Sequence, residues 1–346
     1  MRVLRSATLC FVLVLVAGGC AAPEGRSRTT PPQAEPIRSL TFMAGFKAQA
    51  NLPFVAAYLA QERGFFAQQG LSVDVRHSAG QGEHYQLLAA RRIDVTTAPA
   101  EDVLKLAEDP GLPFVAVALF GQRGDRGFAV LAESEIHTPK DWEGKIVGYK
   151  VLPTPDYLAI LRANGVDRSK LQEVPVGFDP RLLAERKVDV YPVFVANEPD
   201  TLRRLGVETR VFEANQYGVP TLGLTYIVHR ELLEQDGAAV ERFLKATLRG
   251  LADSFERPDE AVDVVMKYAP GEDRAHQRAM FDVERAAATS ELTRRNGLGW
   301  TTEEQWRALH DVLVEFGALR GPRDVTASFS DRPLQAIYRN GQLRWP

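Results

Sequence analysis

Cysteine is almost missing from this sequence: among its 346 residues only Cys10 and Cys20 are cysteines, and both lie within the first twenty. The rest of the chain therefore cannot form a disulfide framework, a thiolate metal site or a cysteine nucleophile. An excess of charge is missing too, because 42 Lys and Arg residues face 45 Asp and Glu residues, for a formal net charge of −3. This balance argues against a nucleic-acid-binding protein, which normally carries a basic patch or stripe.

Motifs for covalent or metal catalysis are absent as well. The sequence has no Gly-x-Ser-x-Gly nucleophile elbow, and its six histidines are too scattered to have the spacing of zinc ligands. A glycine turn at Gly80-Gln81-Gly82 has Tyr85 where a dinucleotide fingerprint needs its third glycine. We therefore expect no catalytic residue, no metal and no cofactor. Two interpretations of the turn stay open: a plain tight turn, or a helix N-terminus that offers backbone N–H groups to a polar ligand.

The N-terminal segment has the layout of a secretory signal. Arg2 and Arg5 precede an apolar run of eleven residues, 7–17, and the small residues Gly18 and Gly19 follow it. At about 1.5 Å per residue this run is too short to cross a hydrocarbon core of roughly 30 Å, so a permanent transmembrane helix is disfavoured. The pattern predicts a signal peptide over residues 1–19.

Cys20 ends a tetrapeptide, Ala17-Gly18-Gly19-Cys20, that resembles a bacterial lipobox. In that motif the cysteine is diacylated, and more than one acyl chain anchors a protein stably to a membrane. The alternative is ordinary secretory cleavage beside an incidental cysteine. Residues 20–36 are rich in proline and have no large apolar side chain before the folded part, which predicts a flexible tether.

From Ile37 onward, short apolar runs alternate with helical patterns, which is typical of an α/β protein with mostly parallel strands. The predicted strands are Ser39–Ala44, Leu71–Arg76, Ile93–Thr97, Phe114–Leu119, Phe128–Ala132, Lys145–Tyr149, Gln172–Pro175, Val188–Tyr191 and Leu224–Val228. The predicted helices are Asn51–Arg63, Glu83–Ala90, Ala100–Glu108, Leu158–Asn164, Arg181–Glu185, Asp200–Leu205, Glu241–Phe255, Pro258–Tyr268, Arg274–Arg294 and Thr302–Phe316.

Two segments, Arg92–Thr97 and Lys187–Pro192, share a pattern of a basic residue, a β-branched residue, an aspartate and a valine. Such an echo is what two similar α/β lobes would produce, although chance would also explain it. The length of the chain suits two domains. We predict one lobe from residues 37–132 plus 220–346 and a second lobe from residues 133–219. The chain would cross between them near Ala132–Ile136 and Asn215–Pro220, and the C-terminal part is predominantly helical.

Aromatic, amide and carboxylate side chains follow the predicted strands in both lobes. Open α/β sheets bind ligands at the carboxyl ends of their strands, where Tyr and Phe can stack on a flat ring and Asn, Asp and Glu can accept its donors. Core packing is the alternative for any one aromatic residue. The predicted ligand-binding residues are Lys47, Asn51, Gln81, Thr97, Glu101, Tyr157, Phe178, Asp179, Tyr191, Phe194, Asn197, Glu198 and Tyr217.

Several blocks between Leu40 and Tyr338 resemble a known family, the extracytoplasmic solute-binding proteins of ABC importers, in the branch related to fungal thiamine-pyrimidine synthase. The blocks are Tyr58–Phe66, Gly70–Val75, Pro139–Tyr149, Val176–Pro180, Tyr217–Pro220 and Lys267–Pro270. The resemblance implies a two-lobed periplasmic-binding-protein fold of type II with two hinge crossovers. It also implies a protein on the extracytoplasmic face of the cell membrane that closes on a small aromatic solute and delivers it to a permease and its ATPase.

Two departures from the family pattern bear on the ligand. The cysteine-rich iron-binding motif of the fungal enzyme has no counterpart, so synthase activity is not implied. The Trp-Thr-Pro-Asn motif of many pyrimidine binders is replaced by residues 45–51, Gly-Phe-Lys-Ala-Gln-Ala-Asn, which favours a riboflavin-binding relative. A binding protein for a thiamine-precursor pyrimidine is the alternative. A pyrimidine-synthesis enzyme and a ligand-sensing domain on the same fold are further alternatives.

Overall fold

The structure, a computed structural model, describes residues 37–346. The predicted signal peptide, the lipidation site at Cys20 and the tether lie outside the described residues. The strands are β1 (Arg38–Ala44), β2 (Leu71–His77), β3 (Val95–Pro99), β4 (Phe114–Leu119), β5 (Arg126–Leu131), β6 (Ile146–Tyr149), β7 (Gln172–Pro175), β8 (Tyr191–Phe194), β9 (Thr209–Glu213), β10 (Leu224–His229), β11 (Tyr338–Arg339) and β12 (Gln342–Leu343).

Helices connect these strands and make up most of the C-terminal part. They are α1 (Leu52–Glu62), α2 (Phe65–Gln68), α3 (Glu83–Ala89), α4 (Ala100–Leu106), α5 (Pro155–Ala163), α6 (Arg181–Ala184), α7 (Glu198–Arg204), α8 (Arg230–Gln235), α9 (Gly237–Glu256), α10 (Pro258–Tyr268), α11 (Arg274–Ala288), α12 (Glu291–Asn296), α13 (Glu303–Glu315) and α14 (Arg332–Ile337). None of the helices within residues 37–346 combines the length and apolarity that a bilayer crossing requires.

The long strands divide between two sheets. The first sheet has five strands in the order β2-β1-β3-β10-β4, and the second has three in the order β8-β5-β9. The parallel pair β6–β7 adjoins the second sheet through a bridge between Val147 and Val190. The two sheets are built from different stretches of sequence, so side chains from both can face one space between them.

Most strands in each of the two main sheets run in one direction, as expected, but the pairing is mixed because one strand in each sheet is reversed. Strand β1 is parallel to β2 and β3, but β10 is antiparallel to both β3 and β4. In the second sheet β5 is antiparallel to both of its neighbours, β8 and β9. The physical reason is that β10 re-enters the first sheet from the second, and a returning strand runs against those that left.

Two expectations need correction. The single helix predicted over Arg274–Arg294 is two helices, because Thr289 has extended backbone and the Ser290 side chain caps α12 by accepting from Thr293 N. Strand β9 was not among the predicted strands. Its sequence, Thr-Arg-Val-Phe-Glu, places only Phe212 in the core, so its hydrophobic signal is weak.

The core of the first sheet is built on helix α1. Every residue from Leu52 to Ala60 is buried, so this helix lies between the sheet and the C-terminal helices instead of showing one face to solvent. Helix α9 packs directly on it: a Cβ on Gly250 would lie 2.6 Å from the Ala56 carbonyl oxygen. Only glycine allows this approach, and replacing it would force the two helices apart.

The chain passes between the sheets twice. The first crossing, residues 120–125, joins β4 to β5 and precedes the predicted Ala132–Ile136, because β5 already pairs with β8 and β9. The second crossing, residues 214–223, contains the predicted segment 215–220. The two crossings touch through their backbones, since Gly223 N donates to the Gly121 carbonyl oxygen at 2.9 Å. The predicted lobe boundary at 219/220 falls within the second crossing, whereas the one predicted at 132/133 would place β5 in the first lobe although β5 pairs within the second sheet.

Candidate functional site

A cavity of about 470 Å³ lies between the two sheets. Loops after β1, β2 and β3 line it from the first sheet, and loops after β6 and β7 line it from the opposite side. The amino ends of the antiparallel strands β5 and β10 complete the wall with Arg126 and Leu224. Its position is that of a ligand site in an open α/β protein, at strand ends.

Aromatic rings from both sides meet in this cavity. Phe46, after β1, and Phe178, after β7, have ring centroids 4.9 Å apart. The Lys150 ammonium lies 4.2 Å from the centroid of Phe194 and 5.3 Å from that of Phe178. Tyr and Phe rings so placed can stack on a flat ligand and shield it from water.

Gly80 makes room for this aromatic wall. Its φ of +83° is in the left-handed region, and a Cβ there would lie 2.5 Å from Phe46 Cδ2. Both facts require glycine, because an L side chain would be strained and would collide with the ring. The Gly80-Gln81-Gly82 turn therefore positions Phe46, in addition to starting α3.

A charged group centred on Arg126 forms another part of the wall. Arg126 donates two hydrogen bonds to Asp102, at 3.0 and 2.8 Å, and its Nη1 lies 3.5 Å from Asp156 Oδ1. Paired Arg–carboxylate contacts of this kind fix both groups in one orientation. Asp102, Arg126 and Asp156 all line the cavity.

The Asp156 side chain is buried, since the residue is only 1% exposed. Its carboxylate nevertheless accepts no hydrogen bond from the described residues. Further acids lie close to it. The pKa of Glu101 is raised well above its usual value, mainly by burial and next by the negative charge of Asp156. Burial also raises the pKa of Asp125 to about 6. A buried carboxylate without a donor is costly, so this part of the wall favours a ligand that brings hydrogen-bond donors.

Asn51 lies in the wall within a buried network. Its Nδ2 donates to Glu284, and its Oδ1 accepts from Gln49 Nε2 at 2.5 Å. Glu284, on α11, also accepts from Leu52 N at 3.1 Å at the start of α1. Burial raises the pKa of Glu284 to about 7. The network ties helix α11 to the cavity wall.

Six of the predicted ligand-binding residues line the cavity. They are Asn51, Gln81, Thr97, Tyr157, Phe178 and Phe194. Two of these also have structural partners: Thr97 Oγ1 accepts from Gly45 N at 3.0 Å, and the Tyr157 hydroxyl donates to Glu173 at 2.8 Å.

Three further predicted residues support the second sheet's side of the cavity from behind. Glu198 is buried, pairs with Lys150 and accepts from Phe194 N at 2.7 Å. The Tyr191 hydroxyl donates to the Gly177 carbonyl oxygen at 3.1 Å. Asn197 Oδ1 lies 2.9 Å from His276 Nε2, while Nδ1 of the same ring lies 2.7 Å from Asp200. That histidine joins α11 to α7.

The remaining four predicted residues have other partners. Lys47 pairs with Glu272 at 2.5 Å, and Asp179 pairs with Arg181 at 2.6 Å, both at the surface. Glu101 is buried and accepts from Leu222 N at 3.1 Å, beside the second crossing. The Tyr217 ring packs on Phe212 with centroids 5.5 Å apart.

Several cavity residues were missing from the sequence prediction: Tyr85, Asp102, Arg126 and Asp156. Arg126 begins an antiparallel strand, so it enters the cavity from the amino end of β5, where the strand-end pattern predicts no ligand contact. Asp156 did carry a signal. It stands in the first turn of α5, directly after Thr154-Pro155, where a helix start was recognisable. Within residues 37–346 no group of three or more His, Cys, Asp or Glu side chains could hold a metal ion.

Comparison with known proteins gives the following relatives. Residues 51–261, more than half of the chain, match the family model described as NMT1/THI5 like. The riboflavin-binding protein RibY of Chloroflexus aurantiacus is 27% identical over 96% of this chain and 98% of its own length. The formylaminopyrimidine-binding protein of Halalkalibacterium halodurans is 28% identical over 79% of this chain and 84% of its own length.

Solved structures agree on the fold. The periplasmic aliphatic sulphonate binding protein SsuA from Escherichia coli has a TM-score of 0.64 at 16% identity, covering 89% of this chain and 94% of that chain. A Candida albicans protein with the generic periplasmic binding protein fold has a TM-score of 0.63 at 13% identity, covering 89% of this chain and 98% of that chain. The predicted family resemblance and fold class are confirmed.

Proposed function

Because the chain belongs to the NMT1/THI5-like family, we propose that it is the extracytoplasmic solute-binding component of an ABC importer and that it binds riboflavin in the cavity between its sheets. It would hand the vitamin to a membrane permease driven by a cytoplasmic ATPase. The protein is then a carrier and not an enzyme.

One observation carries the proposal: aromatic side chains from opposite sides of the cavity meet, as Phe46 and Phe178 do at 4.9 Å. A flat, three-ring flavin offers a large stacking face to such a wall, and its imide edge and ribityl chain offer polar groups to the charged side. The relative RibY aligns with nearly the whole chain, and its name, riboflavin-binding protein, supports riboflavin as the ligand.

The proposed contacts are the six predicted residues that line the cavity, with Phe46 and Lys150 beside them. Three further predicted residues would act from behind these contacts. Glu198 would hold Lys150, Tyr191 would hold the loop at Gly177, and Asn197 would hold His276. Lys47, Glu101, Asp179 and Tyr217 were predicted as contacts too. Each has another partner in the structure, so a role for them requires these contacts to rearrange when the ligand binds.

We also propose how the protein is attached to the membrane and how its lobes move. Residues 1–19 would be removed as a signal peptide, Cys20 would carry the lipid, and residues 20–36 would tether the folded part to the outer face of the membrane. The two lobes would close on the ligand about the two crossings, and the permease would recognise the closed form. Their first boundary is moved from the predicted 132/133 to the crossing at residues 120–125, because β5 pairs within the second sheet.

A pyrimidine is the second candidate ligand, favoured by the name of the relative from Halalkalibacterium halodurans. An exocyclic amine would suit the Asp156 carboxylate, which accepts no hydrogen bond from the described residues. A single ring would leave much of a cavity of about 470 Å³ to water, which weighs against it. A synthase role is suggested by the name of a more distant relative, the 4-amino-5-hydroxymethyl-2-methylpyrimidine phosphate synthase of Legionella pneumophila, at 24% identity over 61% of this chain.

A fluorescence titration tests the proposal. Stacking on Tyr or Phe quenches flavin emission, so the full-length protein in detergent should quench riboflavin in a saturable manner. Thiamine and hydroxymethylpyrimidine should compete poorly. If riboflavin emission is unchanged while the pyrimidine raises the melting temperature by linkage, the pyrimidine is the ligand and the riboflavin assignment is wrong.

A further inference from the structure

Every cationic side chain that lines the cavity, among the described residues, already has a carboxylate partner. Lys105 pairs with Glu108 at 2.6 Å, Lys150 pairs with Glu198, and Arg126 pairs with Asp102 at 2.8 Å. The remaining basic group, His84, is neutral near pH 7, because burial lowers its pKa to about 4. An anionic ligand would find no unpaired positive charge in this wall.

Carboxylate, by contrast, is in surplus. Arg126 satisfies both oxygens of Asp102 through two hydrogen bonds, so Asp156 is left with one contact to the guanidinium at 3.5 Å and no hydrogen bond. Asp125 adds two further buried oxygens without hydrogen bonds. Arg126 thus contacts two aspartates of the cavity wall, Asp102 and Asp156, and hydrogen-bonds only the first.

The two observations together select against a ligand with negative charge. A phosphate that entered the cavity would have to displace a carboxylate from its cation or lie beside Asp156, and like charges that approach in a desolvated site repel strongly. A hydroxyl or imide brings no such charge, and its donors reach the buried Asp156 oxygens only if the side chain turns toward the cavity.

We infer that the cavity takes its ligand in unphosphorylated form and rejects the phosphate ester of the same ligand, with Asp156 as the residue that sets this specificity. The inference rests on the proposed function of the cavity and narrows it: the transported vitamin is the free form, and a flavin that ends in phosphate is excluded.

Riboflavin and flavin mononucleotide form a matched pair of probes, because they share the ring and the ribityl chain and differ by one terminal phosphate. Quenching titrations with the full-length protein should give a dissociation constant at least ~10-fold higher for the mononucleotide. The variant Asp156→Asn should narrow this ratio by at least ~3-fold, and Asp74→Asn, a surface acid paired with Arg76 and away from the cavity, should leave it unchanged. Asp102→Asn is a second variant that should also narrow the ratio of the two dissociation constants, because it removes one of the carboxylates that neutralise Arg126.

Failure of the inference and failure of the proposed function give different results. Equal affinity for the two flavins overturns the inference while the riboflavin function stands. If neither flavin binds, the riboflavin function fails, and the same comparison is made calorimetrically with hydroxymethylpyrimidine and its phosphate. Tighter binding of the free pyrimidine then supports the inference, whereas equal binding, or binding of none of the four probes, overturns it.

Discussion

Phe46 and Phe178 lie on loops of different sheets, 132 residues apart in sequence, yet their rings contact each other at a centroid distance of 4.9 Å and a tilt of 37°. Phe46 follows β1, and Phe178 follows β7. Their contact joins the two walls of the cavity, so a ligand that stacks on one ring is also close to the other.

Replacing Phe178 with alanine should therefore weaken flavin binding by about 0.5–1.5 kcal/mol, the usual worth of one aromatic contact. The fluorescence titration measures this as a rise of a few-fold to about tenfold in the dissociation constant, with less quenching at saturation. The control is Phe65→Ala, since Phe65 contacts Trp345 at 5.2 Å and does not line the cavity. An equal loss in both variants would contradict the stacking role.

Glu284 gives a pH prediction for stability. Burial raises its pKa to about 7, from an ordinary value of 4.5 that holds in the unfolded chain. Between these values the folded protein keeps a proton that the unfolded chain releases, so the free energy of unfolding should fall as the pH rises from about 4.5 to about 7. Glu284→Gln stays neutral and should lose this slope. The difference in free energy of unfolding between variant and parent should therefore shift in favour of the variant by about 1–3 kcal/mol from pH 4.5 to pH 8.

Urea denaturation of both proteins at several pH values measures that slope. The matched control is Glu272→Gln, a half-exposed acid whose partner, Lys47, is at the surface. Parallel pH profiles for the parent and Glu284→Gln would show that the buried carboxyl does not titrate as stated.

The contact between the crossings predicts the effect of Gly223→Ala. The added Cβ would lie 2.7 Å from Gly121 Cα, so the two segments must separate, at a cost of about 1–3 kcal/mol. Thermal denaturation measures the loss, and small-angle scattering with and without riboflavin reports whether closure is impaired. Gly237→Ala is the control: it stands at the start of α9 with nothing within 4 Å of the new Cβ, so it should not destabilise the protein. Equal melting temperatures for the two variants would refute the argument.

The proposed lipidation at Cys20 predicts the behaviour of Cys20→Ser. Without the acyl chains the protein should leave the membrane fraction or keep its signal peptide uncleaved. Cell fractionation with mass analysis of the N-terminus distinguishes these results from the parent. A mature Cys20→Ser protein that stays in the membrane fraction would mean that another feature anchors the chain.

Local sequence predicted the elements well where a short apolar run or a capped helix was sufficient. The bounds of β4, Phe114–Leu119, and α10, Pro258–Tyr268, agree with those expected. Strand β9 and the antiparallel placement of β10 were not predictable in the same way. They depend on pairing between residues far apart in sequence, for which one sequence gives no signal.

The site was predictable to a similar extent. Looking after strands found Phe178 and Phe194, because the carboxyl ends of β7 and β8 do face the cavity. The same rule could not find Arg126, which enters from the amino end of β5 and becomes visible only once that strand is known to be antiparallel. Polar partners were also beyond reach: Glu198 looked like a ligand contact, but it pairs with Lys150.

The place of β10 in the first sheet has a consequence for how the protein is made. This strand lies between β3 and β4 and pairs with both, at Val95–Pro99 on one side and Phe114–Leu119 on the other. The sheet therefore stays divided until residues 224–229 have been synthesised and have returned from the second sheet. Completing it requires contacts of high sequence separation, which form slowly. Closure of the first sheet is thus a late event, because the strand that joins β3 to β4 is made only after every strand of the second sheet.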